Sequence, residues 1–360
     1  MKVVHVVPAL FGDDGVYGGA ERYVYELAKQ MANVVETKLV AFGPQDRTET
    51  EGELQIRVIG NPHYVKGQRS NPISRKIFRE FQGADVIHCH QQHILQSSLS
   101  AIFGGITRKT VCVTDLGGGG WDISGYLSTD RLYAAHLHIS EYSRKVFGHD
   151  HKPWAHVILG GIDTERFHPG DSQKNSNSAL YVGRLVPHKG IDYLIQGLPT
   201  DMTLEVIGRP YDDAYAKKLH EISNGRKVRF REDCSDDDII KAYQSAACIV
   251  LPSVYKTEDG QTTAVPELLG QTALEGMACG TPAICTNVAS LPEIVMHEET
   301  GFLVPPNNAG AIGERLKWFM TNPKQAQSMG DAARQSILDR FTWPKVVGRC
   351  LSIYEEAARS

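Results

Sequence analysis

Short apolar runs alternate with stretches of helical spacing along all 360 residues. Residues 3–7 (Val-Val-His-Val-Val) form an apolar run before a glycine-rich loop. Residues 20–31 then place Tyr23, Leu27 and Met31 on one helical face. Further strand-like runs fall at 37–42, 55–59, 86–90, 110–114 and 136–139, with a weaker one at 156–158. A polar segment, Gln173-Lys-Asn-Ser-Asn-Ser178, has the composition of a linker. Beyond it the pattern resumes, with strands at 179–182, 204–207, 228–230, 248–251 and 282–285 and helices at 191–198, 215–222 and 237–245. This alternation predicts an α/β chain built from two doubly wound, Rossmann-like parallel sheets. The length suits two domains, each with its own core. Their expected bounds are 1–166 and 167–343.

One stretch carries the strongest chemical signal: Glu267-Leu-Leu-Gly-Gln-Thr-Ala-Leu-Glu275. Eight residues are a little over two helical turns, so both carboxylates share nearly one face if the helix is regular from its start. Gly270 can open that helix, and the backbone N–H groups of Leu269, Gly270, Gln271 and Thr272 would gather near its positive end, where phosphate binds well. Alone, the pattern also fits an amphipathic helix with two solvated glutamates. Upstream, the apolar run Ala179-Leu-Tyr-Val182 ends in Gly183-Arg184, and Lys189-Gly190 opens a helix. That order places two cations at the carboxyl edge of a sheet, where open α/β folds bind ligands. Arg184 offers a planar fork for phosphate oxygens and Lys189 a compact charge.

Taken together these segments resemble the retaining glycosyltransferases of family 4, which have the two-domain GT-B fold. Gly18-Gly19-Ala20-Glu21 matches the loop after the family's first strand, and Asp85-Val-Ile-His-Cys-His90 its strand ending in histidine. Gly161-Ile-Asp-Thr-Glu-Arg-Phe-His-Pro169 is similar to its crossover; Val250-Leu-Pro-Ser253 and Gly301-Phe-Leu-Val-Pro305 complete the series in order. The resemblance implies two domains facing across a cleft that closes on its donor, with the last helix, near 344–360, crossing back to the first. It implies that Arg184 and Lys189 hold the diphosphate of a nucleotide sugar, that Glu267 touches the donor sugar and that Glu275 touches the ribose. Gly183, Gly208, Arg209 and Arg231 would border the nucleotide, and the Gly18-Gly19 backbone would approach phosphate or sugar. The implied reaction transfers the sugar to a hydroxyl-bearing acceptor with retention, by front-side displacement, without a protein-bound metal or other cofactor.

Other residues bear two readings. His88, His90 and His93 invite a metal site, because alternate strand residues share a face; no matching carboxylate or cysteine cluster is readable, so a metal is not expected. His90 at the strand end reads as a substrate contact or as a structural histidine. The family usually carries a histidine near the donor sugar, after the fourth or fifth strand. Here Val113-Thr-Asp-Leu-Gly-Gly-Gly-Gly-Trp-Asp122 has none. Asp115 either takes that role or forms a turn. Asp163 reads as a cap for the turn after it or as part of a hinge. The spacing around Gly18-Gly19 lacks the dinucleotide fingerprint, which excludes a nicotinamide cofactor there.

Composition narrows the class without naming it. The formal net charge of −4 argues against a general nucleic-acid binder. Seven scattered cysteines without a C-x-x-C pair predict reduced thiols and a cytoplasmic chain. No N-terminal signal pattern or apolar run of membrane-spanning length is visible. The basic stretch from Lys66 to Arg79 fits a solvated face, with peripheral contact at the inner membrane face as the alternative. Two other functions stay open: a catalytically silent nucleotide-sugar-binding subunit, and a nucleotide-sugar 2-epimerase.

Overall fold

The computed structural model describes residues 1–360 except 14, 15, 17, 118, 119, 127, 172 and 360. The chain divides into two compact units, residues 1–161 with 343–360, and residues 162–342. The first division thus precedes residue 166, and the crossover segment from Ile162 onward belongs to the second unit.

Unit 1 is organised on β1 (Lys2–Val6), β2 (Glu36–Gly43), β3 (Arg47–Glu51), β4 (Leu54–Gly60), the small β5 (His63–Tyr64) and β6 (Pro72–Ile73), β7 (Val86–Cys89), β8 (Thr110–Val113), β9 (Ala135–His138) and β10 (Ala155–Val157). Among the described residues these give an eight-stranded sheet in the order β10-β9-β8-β7-β1-β2-β4-β3 and a two-stranded β5-β6 ribbon. The large sheet is parallel except at its edge, where β3 runs antiparallel to β4. That hairpin strand, Arg-Thr-Glu-Thr-Glu, carries no apolar alternation and is largely solvent-facing, so no core signal marks it. Helices α1 (Gly19–Ala32), α2 (Ile77–Glu80), α3 (Leu95–Thr107) and α4 (Glu141–Val146) flank the strands. α1 buries Tyr23, Val24, Leu27, Ala28, Met31 and Ala32 at spacings of three and four.

Unit 2 contains β11 (Asn175–Val182), β12 (Thr203–Ile207), β13 (Val228–Arg231), β14 (Ala246–Leu251), β15 (Ala283–Thr286) and β16 (Gly301–Val304). They form one parallel sheet in the order β13-β12-β11-β14-β15-β16. The segment expected as a linker is largely strand: Asn175-Ser-Asn-Ser178 extends β11, half exposed, with a register shift against β14 between Asn175 and Ala179. Polar side chains are tolerated there because the strand has not yet entered the core. Helices α5 (Ile191–Gly197), α6 (Asp213–Ile222), α7 (Asp236–Ser245), α8 (Gln271–Ala278), α9 (Leu291–Ile294), α10 (Ala309–Thr321) and α11 (Pro323–Arg340) accompany the sheet. The core packs Tyr181, Leu194, Leu204, Val206, Val250, Ile284, Phe302 and Phe319.

The last helix, α12 (Trp343–Arg359), returns to unit 1. It lies against α1, β8 and β9, burying Trp343, Val346, Val347, Cys350, Ile353 and Tyr354. Tyr23 packs on Trp343 with ring centroids 5.5 Å apart, and Arg349 donates to the carbonyl of Ile158 at 2.9 Å. Strand order reverses direction between β1 and β7 in unit 1 and between β11 and β14 in unit 2. Those two places are the topological switch points, where a doubly wound sheet opens a crevice at its carboxyl edge.

Candidate functional site

Arg184, Lys189 and Glu267 lie in unit 2 beyond the carboxyl ends of β11 and β14, and Glu275 lies one turn into α8. Gly183 follows β11 and Gly208 follows β12, and their backbones are in close approach. A Cβ on Gly208 would stand 1.8 Å from the Gly183 carbonyl oxygen, so no larger residue fits. Arg184 leaves this tight edge with its guanidinium 5.6 Å from the Tyr211 ring centre, and its carbonyl accepts from the Tyr181 hydroxyl at 3.0 Å. Lys189 closes a single 3-10 turn, Pro187–Lys189, before α5.

The Lys189 ammonium pairs with the Glu267 carboxylate, joining positions 78 residues apart. Both side chains are 14% exposed. Ser253, just past β14, donates to Glu267 Oε1 at 3.3 Å, and the Lys189 ammonium also reaches the Pro266 carbonyl at 3.3 Å. Beside the pair, burial and the Lys189 charge hold the His188 imidazole down at about 4, so it is neutral at physiological pH.

The helix differs from the one expected. α8 begins at Gln271, and Gly270 is its N-cap in the left-handed region, φ +80°. Glu267 therefore lies in the loop ahead of the helix, and the two glutamates do not share a helical face. The left-handed glycine turns the chain so that Glu267 can meet Lys189. Leu269 and Gly270 are buried, while Gln271 and Thr272 are half-buried. Gln271 Oε1 is buried with no hydrogen-bond partner among the described residues. Glu275 lies inside the helix, only 4% exposed. Its Oε2 accepts from the Tyr243 hydroxyl at 2.9 Å. A polar chain continues behind it: Thr281 donates to the Tyr243 carbonyl, and the half-buried Lys174 ammonium contacts Thr281 and the carbonyls of Tyr243, Gln244 and Cys279.

Two arginines of this unit are already engaged. Arg231 donates to Glu205 at 3.0 Å and sits 3.7 Å from Asp238; Arg209 is exposed and lies 3.7 Å from Asp233. Asp163 accepts from the backbone N–H groups of Glu165 and Arg166 at 3.1 and 3.0 Å, a capping geometry.

Unit 1 holds the remaining predicted residues. Gly18 is the N-cap of α1 and Gly19 its first residue; the preceding loop lies partly outside the described residues. Asp115 follows β8, is buried, and accepts from the Gly117 N–H at 2.8 Å. Desolvation raises its carboxyl above the usual range. His93 Nε2 stands 3.9 Å away. Of the four glycines that follow, Gly118 and Gly119 lie outside the described residues.

His90 is buried within a histidine triad at the unit 1 switch point. His5 and His88 face each other across the β1–β7 register, and the ring centroids of His88 and His90 are 4.1 Å apart. The third member is thus His5 from the first strand, not His93, which instead contacts Ser124 at 3.2 Å. Met31 Sδ, 3.2 Å from His5 Nε2, has no proton to give, so the His5 proton resides there. His5 Nδ1 then accepts from His90 Nε2 at 2.8 Å, leaving His90 Nδ1 with a buried lone pair and no partner among the described residues. Burial pushes His5 down to about 3 and His88 and His90 well below the ordinary value.

Sequence reasoning missed a second histidine group. His136, His138 and His149 pack together near Asp130, and only the alternation of His136 and His138 along one apolar run could have signalled it. Among the described residues, no helix is long and apolar enough to cross a membrane.

Comparison with known proteins assigns the family and the fold. Residues 17–166 match the model for Glycosyltransferase Family 4, and residues 163–336 the model for Glycosyl transferases group 1. The chain is 28% identical over 229 residues to a D-inositol 3-phosphate glycosyltransferase of Streptomyces bingchenggensis, covering 56% of this chain and 48% of that protein. It is 23% identical over 389 residues to an alpha-maltose-1-phosphate synthase of Mycolicibacterium smegmatis, covering 95% and 96%. With the first of the curated relatives it matches, the chain aligns over about half their length. Its fold superposes on the crystal structure of HepE from Anabaena in complex with UDP, TM-score 0.76 at 18% identity, covering 99% of this chain and 100% of that one. It superposes equally on a sucrose-phosphate synthase from Thermosynechococcus elongatus, TM-score 0.76 at 19% identity, covering 99% of each. Two family models tile nearly the whole chain, one on each parallel-sheet unit: the chain belongs to the GT-B glycosyltransferases of family 4.

Proposed function

We propose that this protein is a retaining glycosyltransferase that moves a hexosyl group from a nucleoside-diphosphate sugar to an acceptor hydroxyl. The observation that carries the reading is the Lys189–Glu267 pair at the unit 2 switch point, beside Arg184 and ahead of α8. A cation, a carboxylate and free helix N–H groups at one sheet edge form a chemically asymmetric grip. The cationic side suits a diphosphate, and the carboxylate suits sugar hydroxyls and an anomeric carbon that becomes positive. HepE was crystallised with UDP and with UDP-glucose, which supports a nucleotide-sugar donor for this chain as well.

In this mechanism Arg184 and Lys189 neutralise charge growing on the departing diphosphate. The N–H groups at the start of α8 add to them, so the leaving group needs no metal at this point. Glu267 orients the sugar and stabilises positive charge rather than attacking it. The acceptor enters from the leaving-group side, and the departing phosphate oxygen takes its proton. Glu275, held by Tyr243, fixes the ribose. The acceptor, a glycan, glycolipid or small glycoside, would be held by unit 1 residues that include Asp115 and the Gly18-Gly19 loop. His90, 2% exposed against 4% for Asp115, stands with these unit 1 residues as a substrate contact in this reading. A cytoplasmic location fits the reduced cysteines.

Incubation with UDP-, GDP- and ADP-sugars, with nucleoside diphosphate release followed over time, tests this reading. Slow donor hydrolysis that accelerates with a suitable acceptor is expected. A 2-epimerised sugar would establish the epimerase instead, and binding without turnover a silent subunit.

A further inference from the structure

Three imidazoles and a carboxylate crowd one place in unit 1 that the transfer reaction does not use. Asp130, His136 and His149 each offer a ligand atom, all within 4.8 Å of one another. His149 Nε2 stands 3.6 Å from Asp130 Oδ1, too long for a hydrogen bond. Two ligands on one tetrahedral zinc, at bond lengths of about 2.0–2.1 Å, sit roughly 3.3 Å apart. Contraction by a few tenths of an ångström would therefore turn that contact into a shared coordination edge.

The surroundings have the form of a second layer. Gln92 donates to Asp130 Oδ1 at 2.7 Å, and His138 Nε2 lies 3.1 Å from His149 Nδ1. Histidine ligands usually present their other nitrogen to such a partner, which fixes the tautomer. His136 Nε2–H donates to the Asp130 carbonyl at 3.0 Å, which leaves the Nδ1 of His136 its lone pair. A His149 that donates from Nδ1 to His138 keeps its Nε2 lone pair toward Asp130.

We propose that Asp130, His136 and His149 bind a zinc-class divalent ion, with His138 orienting His149 and Gln92 orienting the carboxylate. The ion ties the turn before β9 to β9 itself and to the segment after α4, and so serves as a structural clamp. The Asp130 side chain, 33% exposed, gives the entry path and neutralises part of the ion's charge. The triad of His5, His88 and His90 makes a poorer site. It has no carboxylate, is 2% exposed or less, and all its ring nitrogens except His90 Nδ1 already have neighbours.

The test uses the full, untagged chain stripped with a chelator and titrated with zinc chloride by calorimetry, with bound metal counted after gel filtration. One zinc per chain is expected, with a rise in Tm. Asp130→Asn and His149→Gln should each lower zinc affinity by more than tenfold, and His138→Phe by about 10- to 100-fold. His151→Gln, at a 90% exposed side chain, should bind as the parent does. Asp130→Asn, nearly isosteric, keeps the test valid if the histidine variants misfold, with folding checked by circular dichroism. Failure of the parent chain to retain zinc, or parent-like zinc binding by folded Asp130→Asn, would overturn the proposal.

Discussion

Breaking the Lys189–Glu267 pair from one side and then from both separates its structural role from its chemical one. Lys189→Met leaves the Glu267 carboxylate, 14% exposed, with only the Ser253 hydroxyl at 3.3 Å among the described residues. Removing one partner of a fully buried pair costs about 3–5 kcal/mol. Residual exposure and Ser253 reduce this, so a loss of roughly 2 kcal/mol is expected for Lys189→Met, and a similar one for Glu267→Gln. The double variant has no unpaired charge and should lose much less than the sum, a coupling of about 2 kcal/mol. Urea unfolding at the four corners of the cycle, followed by circular dichroism, measures it. Donor turnover should behave differently, with all three variants down by on the order of 10²-fold in kcat/KM and no recovery in the double. Strictly additive stabilities would show that the two groups are not coupled. Recovery of turnover in the double variant would show that the pair is only a structural tie.

Three further outcomes follow from buried groups. The folded-state pKa of His5, about 3, is below its unfolded value of 6.5, so the unfolded chain takes the proton first. Its contribution is complete above pH 6.5 and falls as pH drops toward 3, a loss of about 2 kcal/mol at pH 5. His88 and His90 act in the same direction. Urea midpoints in the presence of chelator should thus fall between pH 7.5 and pH 5, and a constant midpoint would refute the buried neutral triad. Tyr243→Phe removes the hydroxyl that Glu275 accepts from and should raise donor KM several-fold with little change in kcat; a selective fall in kcat would place Glu275 at the reacting carbon. Gly270→Ala forces a side chain into the left-handed region, with its Cβ 2.9 Å from Leu291 and Ile294. It should cost roughly 1–3 kcal/mol in thermal unfolding, and an unchanged Tm would mean that this cap is not formed.

The sheets were legible where burial writes a pattern, and the chemistry where a strand ends. Val3, Val4 and Val6 are buried on both sides of a parallel sheet, so β1 reads as a continuous apolar run. β3 gives no such signal, because an antiparallel edge strand with a water-facing surface can be Thr and Glu throughout. Asn175 to Ser178 reads as a linker for another reason: that end of the central strand β11 is half exposed, before the strand enters the core. Arg184 and Lys189 could be placed from the glycines beside them, since a close backbone approach forbids a side chain. The position of Glu267 could not be, because eight residues fit two helical turns equally well until the left-handed Gly270 is seen. The His136–His149 group was hidden because its members lie on either side of α4, on β9 and on the segment that follows the helix. Nothing local announces that the segment after α4 returns to β9.

Arg184 has no role in the proposed transfer other than holding the diphosphate. Arg184→Ala, with its fold confirmed by circular dichroism, should lose on the order of 10²-fold or more in kcat/KM with the donor that the wild-type chain turns over best. A near-wild-type rate in that folded variant would contradict the placement of the diphosphate at the carboxyl edge of β11.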